Sequence, residues 1–139
     1  MSKITAVTAN TERTIVYSDF FTDFSRHINT GQLNKKTNED AVKQSIRNLL
    51  LTDHYERPFH PEIGSNLKAL LFENLTPSTV DSIKREVTNV IKKHEPRAIL
   101  LNVACYPNSD GNAVGVEVTF RIINSTSPTT LDIILEGVR

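Results

Sequence analysis

The sequence predicts an α+β fold in two layers, with N-terminal helices packed on a small C-terminal antiparallel sheet. Two changes of pattern carry this expectation. From Thr37 to His94 apolar residues recur at three- and four-residue spacing, the period of a helix with one buried face. After Pro96 they recur at every second residue, the period of a strand with one buried face. At 139 residues the chain suits one domain. The expected organisation is a loose polar arm over residues 1–13 and a single domain over residues 14–139.

The elements follow in order. Thr14 to Tyr17 is a short strand-like run. Tyr17, Phe20, Phe21 and Phe24 then crowd four aromatics together. They either close one end of the core or anchor a partner. Asn29-Thr30-Gly31-Gln32 is a turn. Thr37 or Asn38 caps a first helix, with Asp40 three residues after Thr37 as in a capping box. Val42, Ile46, Leu49 and Leu50 form its apolar stripe. Ser65 is the expected cap of a second helix, with Leu67, Leu70, Leu71 and Leu75 on its apolar face. Thr76-Pro77 opens a third, cap and then proline at the first helical position, and Pro96 ends it. Val80, Ile83, Val87, Val90 and Ile91 supply its stripe.

Three strands should follow, over 99–106, 113–123 and 129–135. In the first, Ile99, Leu101, Val103 and Cys105 alternate with Leu100, Asn102, Ala104 and Tyr106. Val114, Val116, Val118, Phe120 and Ile122 form the longest alternating run. The turn cluster Pro107 to Asn112 and the loop Asn124 to Pro128 separate them. The meander has open edges, and its last strand has only Asp132 and Glu136 as charges before Arg139.

Composition excludes several functions. Sixteen basic and sixteen acidic residues cancel, so there is no electrostatic footprint for nucleic acid. No apolar run is long enough for a transmembrane helix, and the N-terminus has no apolar signal core, so neither a membrane nor secretion is expected. The single Cys105 rules out an intrachain disulfide, fits folding in a cytoplasm, and lies on an apolar strand phase where a buried inert thiol is the default. His54 and His60 share a loop at a spacing that matches no recognised metal motif, and there is no glycine-rich phosphate loop. No cofactor is expected.

Two constellations remain. The first is the loop between the first two helices, where Glu56-Arg57-Pro58-Phe59 leads to Ile63-Gly64. Phe59 and Ile63 are expected to face the core, with Arg57 held by Glu56 or Glu62. Phe59→Ala would then cost about 3–5 kcal/mol. The loop's carboxylates, Asp53, Glu56 and Glu62, with Glu73 beyond it, also allow a glycosidase-like pair, although no Glu has an Asp nine residues later. The second is Glu95-Pro96-Arg97. In an extended segment Glu95 and Arg97 face the same way, so they form a rigid surface grip for a protein partner.

These motifs in this order, with Leu70-Leu71-Phe72-Glu73 between them and a closing meander, resemble the baseplate wedge family of contractile-tailed bacteriophages. This is the GPW and gene-product-twenty-five-like family, related to TssE of type VI secretion. The resemblance runs from about Thr14 to Val138. Where relatives often carry Gly before the Glu-Arg pair, this chain carries Tyr55. It implies a non-enzymatic structural subunit of the virion's tail baseplate, folded in the host cytoplasm. Glu95-Pro96-Arg97 would anchor it to the wedge core, with Glu56 and Arg57 as further contacts. Its implied partners are other wedge proteins and the tail sheath protein, with the tail tube as an open alternative. The sheet would template the first sheath ring by accepting a strand at its edge, near Ile133 and Ile134. Some members are labelled lysozyme-like, so cleavage of peptidoglycan through loop carboxylates such as Glu56 or Glu73 is the alternative.

Overall fold

A computed structural model describes residues 16–108 and 113–137. The expected arm over residues 1–13, the start of the strand-like run and the tip of the predicted turn at 109–112 lie outside them. Two short strands, β1 (Ser18–Phe20) and β2 (Lys35–Thr37), pair antiparallel ahead of the helices. Helices α1 (Asn38–Leu51), α2 (Leu67–Leu71) and α3 (Pro77–His94) follow. Strands β3 (Ala98–Asn108), β4 (Ala113–Ile122) and β5 (Pro128–Glu136) close the chain as an antiparallel meander in that order. This is the predicted α+β arrangement of helices against an open sheet.

The core forms where the two periodicities meet. Val42, Ile46 and Leu50 of α1 and Ile83, Val87, Val90 and Ile91 of α3 are buried against the sheet. The even-numbered residues of β4 from Val114 to Ile122 and the odd-numbered residues of β5 from Leu131 to Leu135 supply the other side. Thr76 caps α3 as expected, accepting a hydrogen bond from Thr79 N at 3.2 Å. The expected box on α1 does not form: Thr37 precedes the helix without a side-chain cap. Instead Asn38 adopts φ +46°, and its Oδ1 accepts from the Val16 and Tyr17 amides. Ser65 does not cap α2 either, since its hydroxyl donates to Leu50 O at 2.8 Å and ties the loop to the end of α1.

In β3 the expected phase is wrong in the first half. The register with β4 jumps between Leu100 and Asn102, which leaves Leu101 as an extra residue. Ala98 and Leu100 therefore share the core side with Val103 and Cys105, while Ile99 and Leu101 face outward. Strict alternation in sequence cannot reveal a bulge, because the extra residue is itself apolar.

Candidate functional site: two motifs joined through α1, and an open sheet edge

The loop after α1 is pinned at several points. Gly64, at φ +137°, packs so closely on the chain end of α1 that a Cβ there would meet Thr52 O at 2.7 Å and Asp53 C and O at 2.8 Å. Ser65 N donates to Thr52 O, and Asp53 and Ser65 form a parallel bridge. Glu56 folds back so that its Oε2 accepts from Asp53 N at 2.9 Å. Lys68 Nζ meets Asp53 Oδ2 at 2.6 Å, anchoring α2 to the same corner.

This geometry corrects the expectation for Phe59. The ring is 96% exposed and its residue sits at φ +67°. Tyr55 is also exposed, at φ +69°. Left-handed backbone is uncommon for bulky residues and natural for glycine. Position 55 thus takes a backbone conformation that suits glycine, although it carries tyrosine. The loop path, fixed by its hydrogen bonds, leaves Phe59 in solvent, and Ile63 is half-buried beside the Arg57 cavity rather than packed in the core. Phe59→Ala should therefore change stability by less than about 0.5 kcal/mol, measurable by urea titration.

Arg57 is likewise not held by Glu56 or Glu62. Glu56 is turned to the Asp53 amide, and Glu62 lies 3.3 Å from His60 Nδ1. The Glu62 carboxyl is held below its ordinary range by a hydrogen bond from its own backbone and by His60. Arg57 instead lines a cavity of about 220 Å³ with Asp19, Ser45, Asn48, Ile63 and His94.

Ser45 of α1 connects this cavity to the second motif. Glu95 is 2% exposed, so it is not the surface acid that the extended reading implied. Its Oε1 and Oε2 accept from Arg97 Nε at 2.6 Å and Arg97 Nη2 at 2.7 Å, a bidentate pair. Burial pushes the Glu95 carboxyl up, but hydrogen bonds from Arg97 and Ser45 and the guanidinium charge outweigh it, and the net shift is downward. The pairing with Glu95 raises Arg97. The guanidinium lies 5.5 Å from the centre of the Tyr17 ring and is about one-third exposed, and Pro96 is exposed beside it. Glu95, Arg97 and Arg57 thus converge around α1, although the sequence separates them by about forty residues. Tyr17, one of the aromatics singled out in the sequence, and Ser45 complete this arrangement, and Ser45 escaped the sequence reading because a single serine on a helix carries no distinguishing signal.

The third element is the edge of β5. Ile123 N donates to Arg97 O at 3.1 Å, so odd-numbered residues of β4 turn their peptide groups toward β3 and even-numbered ones toward β5. Val116 pairs with Ile133 and Val118 with Leu131. It follows that Ile133 bonds inward, while Thr130, Asp132 and Ile134 turn their N–H and C=O groups to the open edge. Asp132 O accordingly accepts from Arg47 Nη2 of α1 at 3.5 Å. Of the two isoleucines singled out, Ile133 is buried in the core and Ile134 is 69% exposed.

Among the described residues no group of three His, Cys, Asp or Glu side chains is placed to hold a metal, and no helix is long and apolar enough to cross a membrane. Cys105 is half-buried, and that burial pushes its thiol up, as for an inert cysteine.

Comparison with known proteins places this geometry in context. A family model described as baseplate wedge protein gp25 matches residues 36–127. Baseplate wedge protein gp25 of Enterobacteria phage T4 is 35% identical over 85 residues, which is 61% of this chain and 64% of that protein. The chain thus spans somewhat less than two thirds of that curated relative. Among solved structures, a putative tail lysozyme from Geobacter sulfurreducens superposes with a TM-score of 0.67 at 24% identity, covering 73% of this chain and 92% of that one. A chain of the anti-feeding prophage baseplate gives 0.61 at 21% identity, covering 88% and 87%. A chain of the type VI secretion baseplate complex gives 0.61 at 15% identity, covering 70% and 92%. At these identities the structural matches establish the fold.

Proposed function

The chain belongs to the baseplate wedge protein gp25 family, and from that premise we propose that it is a structural subunit of a contractile tail baseplate. In this reading it resides in the virion, contacts other wedge proteins, and starts the sheath by offering the edge of β5 to a strand of the first sheath ring. The observation that carries the second part is the open edge itself. Thr130, Asp132 and Ile134 present a row of peptide groups, and Asp132 and Glu136 are the only charges along β5. Natural sheets protect such edges unless a partner covers them.

The wedge contact is assigned to the surface around Arg97 and Arg57. Glu95 already occupies two donors of Arg97, so it positions the guanidinium and leaves the remaining donors for a partner carboxylate or carbonyl. Pro96 stiffens the approach and Arg57 extends the same surface across Ser45. No catalytic step is assigned. A general acid at neutral pH needs a raised carboxyl, whereas those of Glu62 and Glu95 are held below the ordinary carboxylate range. Glu56 and Glu73 are both exposed, and Glu56 binds a backbone amide.

Ile134→Pro tests the edge. Proline removes an N–H that faces the incoming strand and leaves the β4–β5 ladder intact, whereas Ile133→Pro would break that ladder. Tails assembled with Ile134→Pro should show a complete baseplate and tube and no sheath by electron microscopy. Normal sheath on a correctly folded variant would refute strand addition and leave a wedge subunit only.

A further inference from the structure

Beside the open edge of β5 lies a cavity of about 210 Å³ whose lining includes Lys36, Asp40, Lys43, Gln44, Arg47 and Leu131. Lys43 and Arg47 stand one turn apart on α1, and Arg47 reaches β5 at Asp132 O. None of the three cations forms an ion pair within the described residues. With Asp40 as the one acid, the cavity carries a formal charge of +2, three cations less one anion, in a chain whose net charge is +0.

Gln44 adds an independent feature. It is only 8% exposed, and its Nε2 donates to Phe20 O at 2.7 Å. Its Oε1 is buried and has no donor among the described residues. A buried acceptor without a partner costs about 1–3 kcal/mol, so an N–H delivered to it is favourable.

Resting on the strand-addition reading, we infer that the strand received at β5 is acidic, with Asp or Glu at alternate positions facing α1. The spacing fits. Four residues of helix advance about 6 Å, and two residues of strand advance about 6.7 Å, so acids at every second position reach both Lys43 and Arg47. Residues of the same phase on β5, Leu131 and Ile133, face the helices. The opposite phase of the strand runs beside exposed Ile134 and tolerates apolar residues. A backbone or side-chain N–H of the strand satisfies Gln44 Oε1. A phosphate monoester dianion matches the cations but has no donor for Gln44, so the geometry favours a peptide.

The test uses the full chain and two synthetic peptides of about nine residues, near the ordinary strand length. One alternates Thr with Glu and the other Thr with Lys. Binding is read from amide chemical shifts. The acidic peptide should perturb Thr130, Asp132, Ile134 and the Lys43–Arg47 turn, and bind at least about tenfold tighter than the basic one. The double variant Lys43→Glu, Arg47→Glu, at one half-buried and one exposed position, should reverse the preference, and Gln44→Met should weaken the acidic peptide without removing it. Equal binding of the two peptides, with both lost in Ile134→Pro, would overturn the acidic preference while strand addition stands. Acidic binding that survives Ile134→Pro, or is displaced by phosphate more than by chloride at equal ionic strength, would overturn the inference as well. Sheath growth on Ile134→Pro tails is scored separately, so failure of the underlying reading is distinguishable.

Discussion

Replacing Arg97 with alanine is expected to destabilise the isolated protein by about 3–5 kcal/mol at pH 7, because it strips a buried charge of its partner. Glu95 is 2% exposed and receives two hydrogen bonds from Arg97. Without them only Ser45 and the backbone remain against the desolvation of the carboxylate. The effect should depend on pH in a fixed direction. The pair lowers the Glu95 carboxyl, so its contribution is present above the ordinary value of 4.5 and is lost as pH falls through the lower folded value. In the variant, burial is opposed only by Ser45 and the backbone, and Glu95 takes up a proton more readily. The gap between native protein and variant should therefore narrow as the pH is lowered below about 4.5. Urea unfolding at several pH values measures it. A cost below about 1 kcal/mol at pH 7, or one independent of pH, would show that the pair does not hold the chain where α3 hands over to β3.

Gly64→Ala should cost at least about 3 kcal/mol, since strain and collision add. The residue sits at φ +137°, and the new Cβ would lie 2.7–2.8 Å from backbone atoms of Thr52 and Asp53. Backbone cannot swing aside as a long side chain can. The loop would have to separate from the end of α1, breaking the Ser65 N to Thr52 O bond and displacing the Ser65 hydroxyl from Leu50 O. Thermal unfolding gives the magnitude, and amide exchange at Ser65 shows whether the loop has lifted. By contrast, residues at the loop's tip should be tolerant, as argued for Phe59.

The contrast between Gly64 and Phe59 shows what the sequence makes legible. Pro58, Pro61 and Gly64 mark a constrained loop, and the structure has one. The direction of Phe59 depends on a positive φ within a series of tight turns, with His60 N donating to Arg57 O and Ile63 N to His60 O, and an aromatic residue type gives no sign of that backbone. The same holds for Glu95. The triplet is recognisable, and its bidentate pair follows from extended spacing, but burial of the acid comes from α1 packing across it and from Ser45. Helices α1 and α3 and strands β4 and β5 were legible because each keeps one period over several turns or pleats. The hairpin of β1 and β2 was not, because its three-residue strands are exposed or half-buried and show no alternation. The bulge at Leu101 was hidden by an apolar residue on the outer face. The open edge of β5 was visible as a lack of protecting charges, but the choice of Ile134 over Ile133 needed the register.

The central claim is that β5 receives a sheath strand. Incorporating a photo-reactive phenylalanine analogue at position 134, whose native isoleucine is exposed beside the outward-facing edge, and irradiating assembled tails tests it most directly. The account predicts an adduct between this chain and the sheath protein, formed in native tails and absent when sheath is withheld. An adduct only with wedge or tube proteins in fully sheathed tails would contradict it.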